Sequence, residues 1–181
     1  MYNFIFIAGA PGTGKTTIMR LLQEDLHCPA IDFGNLRIFH LDRSWSNAST
    51  DEEAMAFENL VFILHNYAHH GYTNIIVTDL LEDRIQQIPT LFHDYRYIIV
   101  TLIVANDTEL KRRVTHPMRD SGFRNVEAAT TWNRRARERD LLPHEYRLDN
   151  TNPDPHAAAA HILDIISQSK THHTSRQGPQ G

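Results

Sequence analysis

The chain has 181 residues, 41% of them hydrophobic and 22% charged, with a formal net charge of -4. That length suits one domain with a full core, and the apolar share is that of a folded protein, not a disordered one. The total conceals an imbalance: Lys111 to Arg139 holds eight arginines and one lysine against Asp120, Glu127 and Glu138, which leaves the remainder acidic and excludes a generally basic nucleic-acid binder.

In chain order, Asn3–Ala8 reads as a strand, followed by a Gly/Pro/Thr turn and a helix from about Lys15 with Ile18, Leu21, Leu22 and Leu26 on one face. Pro29 closes that helix, Ala30–Phe33 reads as a short strand, and a short helix is expected around Leu36–His40. Thr50 with Glu53 predicts a capping box for a long helix through Ala54, Phe57, Val61, Leu64 and Ala68, with Gly71 as its C′ residue. Asn74–Thr78 follows as a buried strand ending at Asp79, and Pro89 makes Ile85–Leu91 ambiguous between strand and helix. Tyr97–Ala105 is a continuous apolar run, the pattern of a strand covered on both faces. Asn106 with Glu109 starts a helix that Pro117 stops, and Val126–Arg139 reads as another. Glu145–Leu148 is a last strand, and Asp154-Pro155 opens a final helix. The polar residues 169–181 are expected to form a disordered tail, which places the domain at 1–168. With no internal repeat, this alternation predicts an α/β domain, a three-layer αβα arrangement around a five-stranded parallel sheet.

No apolar run nears the roughly 18 residues of a membrane span, so no membrane association is expected. The N-terminus lacks a basic region ahead of its apolar run, and the lone Cys28 fits a reducing compartment; the expected location is the cytoplasm.

Gly9-Ala10-Pro11-Gly12-Thr13-Gly14-Lys15-Thr16 satisfies G-x-x-x-x-G-K-[ST] between a strand and a helix. Glycines let consecutive backbone N–H groups turn inward as an anion nest, and the positive end of the following helix points at the same place. Lys15 is expected to bridge β- and γ-phosphates, Thr16 to place its hydroxyl on Mg²⁺, and Thr17 to complete the nucleotide site.

On this motif the chain resembles the P-loop NTPases. It has no N-K-x-D guanine motif, as a GTPase would carry, and an AAA+ motor or ABC ATPase would need a longer chain with further motifs. The layout of residues 3–168 is similar to the small P-loop kinases, a group that includes shikimate and gluconate kinases, chloramphenicol phosphotransferase, polynucleotide 5′-hydroxyl kinases and nucleoside monophosphate kinases. The resemblance implies sheet order 2-3-1-4-5, with both substrates at the C-terminal edge. Glu109-Leu110-Lys111-Arg112-Arg113, then Arg119, resembles the passage leading into the lid of these kinases. It implies a short arginine-rich lid at about 112–139, with Arg113 and Arg119 acting on ATP and the phosphoryl group in flight. Leu148-Asp149-Asn150-Thr151-Asn152-Pro153 resembles the last strand and the turn bordering the adenine, which implies Asn150 as a nucleotide contact. The implied activity is ATP- and Mg²⁺-dependent transfer of the γ-phosphate to a hydroxyl of a small-molecule acceptor.

Ile75-Ile76-Val77-Thr78-Asp79 has the shape of a Walker B segment, so Asp79 is expected to hold a Mg²⁺-bound water. Asp32, also at a strand end, is a candidate base, with Asp42 as an alternative. Gly34-Asn35-Leu36-Arg37 stands where many kinases of this group carry D-x-x-R. Arg37 remains to bind an acidic or phosphorylated acceptor, beside Asp32 and Asp79. His40, Arg43 and Trp45 are candidates for the acceptor pocket. Among the clustered arginines Arg112 and Arg124 rank after Arg113 and Arg119, while Arg134, Arg135, Arg137 and Arg139 read as surface. His65, His69 and His70 read as structural, because no carboxylate or cysteine completes a metal spacing. Three alternatives stay open: a nucleoside monophosphate kinase, a polynucleotide 5′-hydroxyl kinase and a non-catalytic ATP switch. Few aromatics (Phe123 and Trp132) interleave with the arginines, so nucleic acid is not the favoured partner. Monomer and homodimer are both compatible with the sequence.

Overall fold

The computed structural model describes residues 1–118, 122–152 and 154–174. Its elements are β1 (Phe4–Gly9), α1 (Lys15–Leu26), β2 (Ala30–Asp32), α2 (Phe33–Ile38), α3 (Thr50–His69), β3 (Ile75–Thr78), α4 (Glu82–Ile85), α5 (Ile88–Leu91), β4 (Tyr97–Ile103), α6 (Asp107–Thr115), α7 (Val126–Glu138), β5 (Glu145–Asp149) and α8 (Pro155–Thr174).

The strands pair in parallel in the order β2-β3-β1-β4-β5. Period-two alternation sorts their side chains onto two faces. Phe4, Phe6, Ile75, Val77, Tyr97 and Ile99 enter a cluster with Phe57, Leu60 and Leu64 of α3 and with Phe92. Ile5, Ile7, Ile76, Ile98 and Val100 face Ile18 and Leu22 of α1 and Ile162 and Ile166 of α8. Each fully buried Phe or Ile contributes roughly 1.5–3 kcal/mol. A third cluster, Val104, Leu110, Val114 and Ala129, packs α6 against α7 beyond the end of β4. Among the described residues no helix is long and apolar enough to cross a membrane.

Several boundaries differ from the sequence reading. Ser49, not Thr50, caps α3, its hydroxyl accepting from the Glu52 N–H at 2.9 Å. Overlapping Ser49–Glu52 and Thr50–Glu53 frames both satisfy the capping pattern; the chosen one frees both glutamates for ion pairs with Arg37 and Arg84. Phe33 opens α2 instead of ending β2, because the Asp32 carboxylate caps that helix through the Gly34 N–H at 3.0 Å. The stretch around Pro89 is two single helical turns, α4 and α5, with the proline in the first turn of α5. Helix α8 runs to Thr174, past the position at which the sequence reads as a tail. His65 meets Tyr95 Oη at 3.0 Å and packs near Phe92.

Candidate active site

Parallel strands deliver their following loops to one edge, where the loops line an open cleft of about 1720 Å³. Gly9, Gly12 and Gly14 of the phosphate loop have φ of 132°, 91° and 101°. A Cβ on Gly9 would lie 2.4 Å from the Leu102 carbonyl oxygen, so only glycine fits there. The Thr13 hydroxyl donates to the Ala10 carbonyl at 2.8 Å and closes the turn. Lys15 is buried, with Nζ 3.3 Å from the Ala10 carbonyl oxygen and 3.6 Å from Asp79 Oδ1. Thr16 and Thr17 follow on α1, and both line the cleft.

Two carboxylates face this loop from neighbouring strand ends. A Cβ built on Gly34 would lie 3.1 Å from Asp32 Oδ1 and 3.2 Å from Asp79 Oδ2, which fixes how closely the two acids converge. Burial, and then the negative charge of Asp79, push the Asp32 carboxyl above its ordinary range, against the Gly34 hydrogen bond and Lys15. Asp79 follows β3 at φ 67°, in the left-handed region that most side chains avoid, and about half its side chain is exposed. Asp42 stands differently. Its carboxylate accepts from the N–H and hydroxyl groups of Ser44 and Ser46, bonds that hold its pKa at about 2, and it does not line the cleft. That environment makes it a loop staple and a poor base.

The arginines divide in a way the sequence did not show. Arg113 lines the cleft but is committed: Nε bonds Glu109 at 2.7 Å, and its two terminal nitrogens donate to the carbonyls of Asn150 and Thr151 at 2.9 and 2.6 Å. The Asn150 amide in turn donates to the Thr13 carbonyl at 2.8 Å. Arg113 and Asn150 therefore brace the turn after β5 against the phosphate loop. Glu109, bonded by Arg112 and Arg113, has its pKa held at about 2. Arg37 also lines the cleft, but Glu52 takes its guanidinium in a bidentate pair at 3.2 and 2.8 Å.

Arg139, read as surface from the sequence, is largely buried. It joins Glu82 at 2.5 Å to Glu145 at 2.6 and 2.7 Å, tying α4, α7 and β5 together. Burial opposes ionisation of Glu145, yet the Arg139, Leu142 and Thr101 hydrogen bonds hold its carboxyl below the ordinary range. Arg135 is exposed and lines the cleft, whereas Arg134 is exposed and does not. Arg137 reaches the Ala105 carbonyl and Asp107. Arg43 and Trp45 line the cleft; His40 lies instead in a shallow groove with Phe39 and Phe62. Arg119 lies outside the described residues. Glu82, Asp83, Gln86 and Arg20 line the cleft without having been singled out in the sequence, because no local motif marks them.

A family model described as an AAA domain matches residues 5–133, the span from the phosphate-loop strand to α7. The chain belongs to the AAA domain family. That name denotes a nucleotide-binding fold and assigns no reaction. No curated protein is matched by the sequence. Among solved structures, the chain is similar to a sugar kinase from Janibacter sp. HTCC2649, with 15% identity over 92% of this chain and 95% of that one and a TM-score of 0.66. It is similar to thymidylate kinase from Candida albicans, with 15% identity, 93% and 92% coverage and a TM-score of 0.66. It is also similar to the Mycobacterium tuberculosis APS kinase in complex with AMPPNP and APS, with 14% identity, 91% and 96% coverage and a TM-score of 0.61. The AAA domain of this chain thus has the fold of the small P-loop kinases, over nearly the whole length of each.

Proposed function

We propose that the protein is an ATP-dependent phosphotransferase that moves the γ-phosphate of ATP to a hydroxyl of a small-molecule acceptor. The observation that carries this reading is the convergence of Asp32 and Asp79 on the mouth of a complete phosphate loop, with Asp32 drawn toward its protonated form. A carboxylate of raised proton affinity beside a phosphate site is suited to receive a proton from an attacking hydroxyl. The hydroxyl oxygen forms a bond to the γ-phosphorus, the bond from that phosphorus to the ADP oxygen breaks, and the hydroxyl proton passes to Asp32. The backbone N–H groups of the loop and Lys15 hold the phosphates in line, so most of the rate comes from positioning and charge neutralisation.

The donors also fit Mg²⁺. Thr16 and the half-exposed Asp79 offer hard oxygens at the cleft, the sparse protein ligation that suits an ion keeping phosphate and water ligands. Bound there, the ion would neutralise charge on the transferring phosphate. In this reading the α6–α7 arm is the lid, and the chain works in the cytoplasm on ATP and a soluble acceptor. Arg113 and Asn150 act on ATP by shaping the loop.

A second reading, phosphate as the acceptor, draws on Arg43 and Arg135, which line the cleft with no ion-pair partner among the described residues. The test is ADP release across sugars, nucleosides, nucleoside monophosphates, hydroxylated aromatics and oligonucleotides, with Lys15→Ala as control. ADP release that rises when a hydroxyl acceptor is added supports transfer. Growth of a nucleoside diphosphate from a monophosphate favours the second reading. Vigorous ATP turnover indifferent to every acceptor overturns both.

A further inference from the structure

The chain has two tryptophans, and both line the cleft: Trp45 is 48% exposed and Trp132 is 38% exposed. Trp132 packs against Phe123, with ring centroids 5.6 Å apart, which accounts for its position. Among the described residues Trp45 has no such aromatic neighbour. Leaving about half of an indole in water forfeits burial worth roughly a kcal/mol, and a φ of 59° adds strain for so bulky a residue.

The loop nevertheless secures this conformation. The Asp42 carboxylate staples Ser44 and Ser46 on either side of Trp45. Asn47 spans the loop, accepting from the Asp42 N–H at 2.9 Å and donating to the His40 carbonyl at 2.7 Å. The Trp45 N–H donates to the Asp42 carbonyl at 3.1 Å, and its own carbonyl accepts from Ala48 at 3.2 Å. The Arg37 guanidinium carbon lies 5.2 Å from the ring centroid, fixed there by Glu52. A strained, half-exposed aromatic held by its own loop and by Arg37 is built to present its ring.

We propose that Trp45 selects the acceptor, and that the acceptor is a hydroxyl compound carrying a planar unsaturated ring, neutral or anionic, such as a nucleoside or an aryl diol. This rests on the phosphotransferase reading above. Arg37 already occupies the indole on one side, so its cation favours an electron-rich or anionic partner on the other and disfavours a cationic one. Arg43, two residues before Trp45 and without an ion-pair partner among the described residues, adds positive charge at the same wall.

The test follows tryptophan emission of a Trp132→Phe chain in the presence of Mg²⁺ and AMPPNP, titrated with uridine, adenosine, 1-phenyl-1,2-ethanediol, glucose and gluconate. The unsubstituted chain is titrated in parallel to guard against a loss of folding. Saturable quenching by one or more of the three ring compounds, and by neither glucose nor gluconate, is expected. With the compound that quenches as acceptor, Trp45→Phe should keep its KM within about threefold. Trp45→Leu should raise it at least about tenfold, equivalent to about 1.4 kcal/mol, with the KM for ATP unchanged. Quenching without ADP release upholds the ring site and removes the phosphotransferase reading. ADP release driven by glucose or gluconate, indifferent to Trp45→Leu, overturns the inference and leaves that reading standing. Absence of any quenching by the ring compounds overturns it as well.

Discussion

Asp32 carries two duties that pull against each other: it caps α2 and, in the proposed reaction, receives a proton beside the phosphate loop. Burial and Asp79 raise its proton affinity in the folded chain above the ordinary 3.8. The folded state therefore binds this proton more tightly than the unfolded state does. The resulting stabilisation is full below 3.8 and is lost as pH rises through the folded value, so at neutral pH the ionised Asp32 is a cost to folding. Asp32→Asn keeps an oxygen for the Gly34 N–H and removes the charge. It should melt at or above the parent temperature at neutral pH, measured by calorimetry, while phosphoryl transfer falls by about 10²-fold or more. That Asp32 and Asp79 stand at strand ends facing the phosphate loop was readable, because each ends a short apolar run. That Asp42 lies outside the cleft was unreadable, because its position depends on serine hydroxyls folding back onto it.

Among the elements, α3 shows how neighbouring residues compete for one role. Ser49→Ala should cost about 1 kcal/mol and Thr50→Ala far less, compared by denaturant unfolding. The apolar spacing placed the helix correctly, but the capping pattern points to Thr50 where Ser49 takes the role. The competing frames are told apart by the pairs Arg37 and Arg84 make with Glu52 and Glu53 across the fold. Those pairs span 15 and 31 residues, and Arg139 reaches Glu82 across 57, distances at which no local periodicity survives. The contiguous eight-residue phosphate loop had no such handicap. Glu145 is the most demanding of these acids, because its side chain is fully enclosed. Glu145→Gln leaves Arg139 largely buried with only Glu82 to answer it. A destabilisation of about 3–5 kcal/mol is expected, read from urea midpoints at constant slope.

At the scale of the whole molecule, four arginines of the basic segment find their anions inside the chain. Glu109 answers Arg112 and Arg113, Asp107 answers Arg137, and Glu82 with Glu145 answers Arg139. Among the described residues these four guanidinium groups are not free to follow a nucleic-acid backbone, and the chain as a whole is acidic at -4. A single-stranded 20-mer should therefore bind weakly, with a log–log salt slope of magnitude below about 2, measured by fluorescence anisotropy. A steep slope would restore the polynucleotide reading. The αβα layering and parallel sheet were legible because helical and strand periodicities alternate along the chain. The cleft lining was legible only in part: Arg37, Arg43 and Trp45 were candidates from the sequence, whereas Arg20 of α1, Glu82 of α4 and Asp83 beside it meet them there only after folding.

The left-handed backbone at Asp79 sets activity against heat resistance. Glycine at that position would relax the turn and remove the charge that crowds Asp32, against the loss of one 3.6 Å pair between the half-exposed Asp79 and the buried Lys15, which keeps its contact with the Ala10 carbonyl. Asp79→Gly should accordingly raise the melting temperature by a few degrees, seen in a thermal-shift assay, while transfer collapses. Any laboratory evolution of this chain that rewarded survival at high temperature, without also demanding turnover, would find that substitution early and dismantle the enzyme from its centre outward.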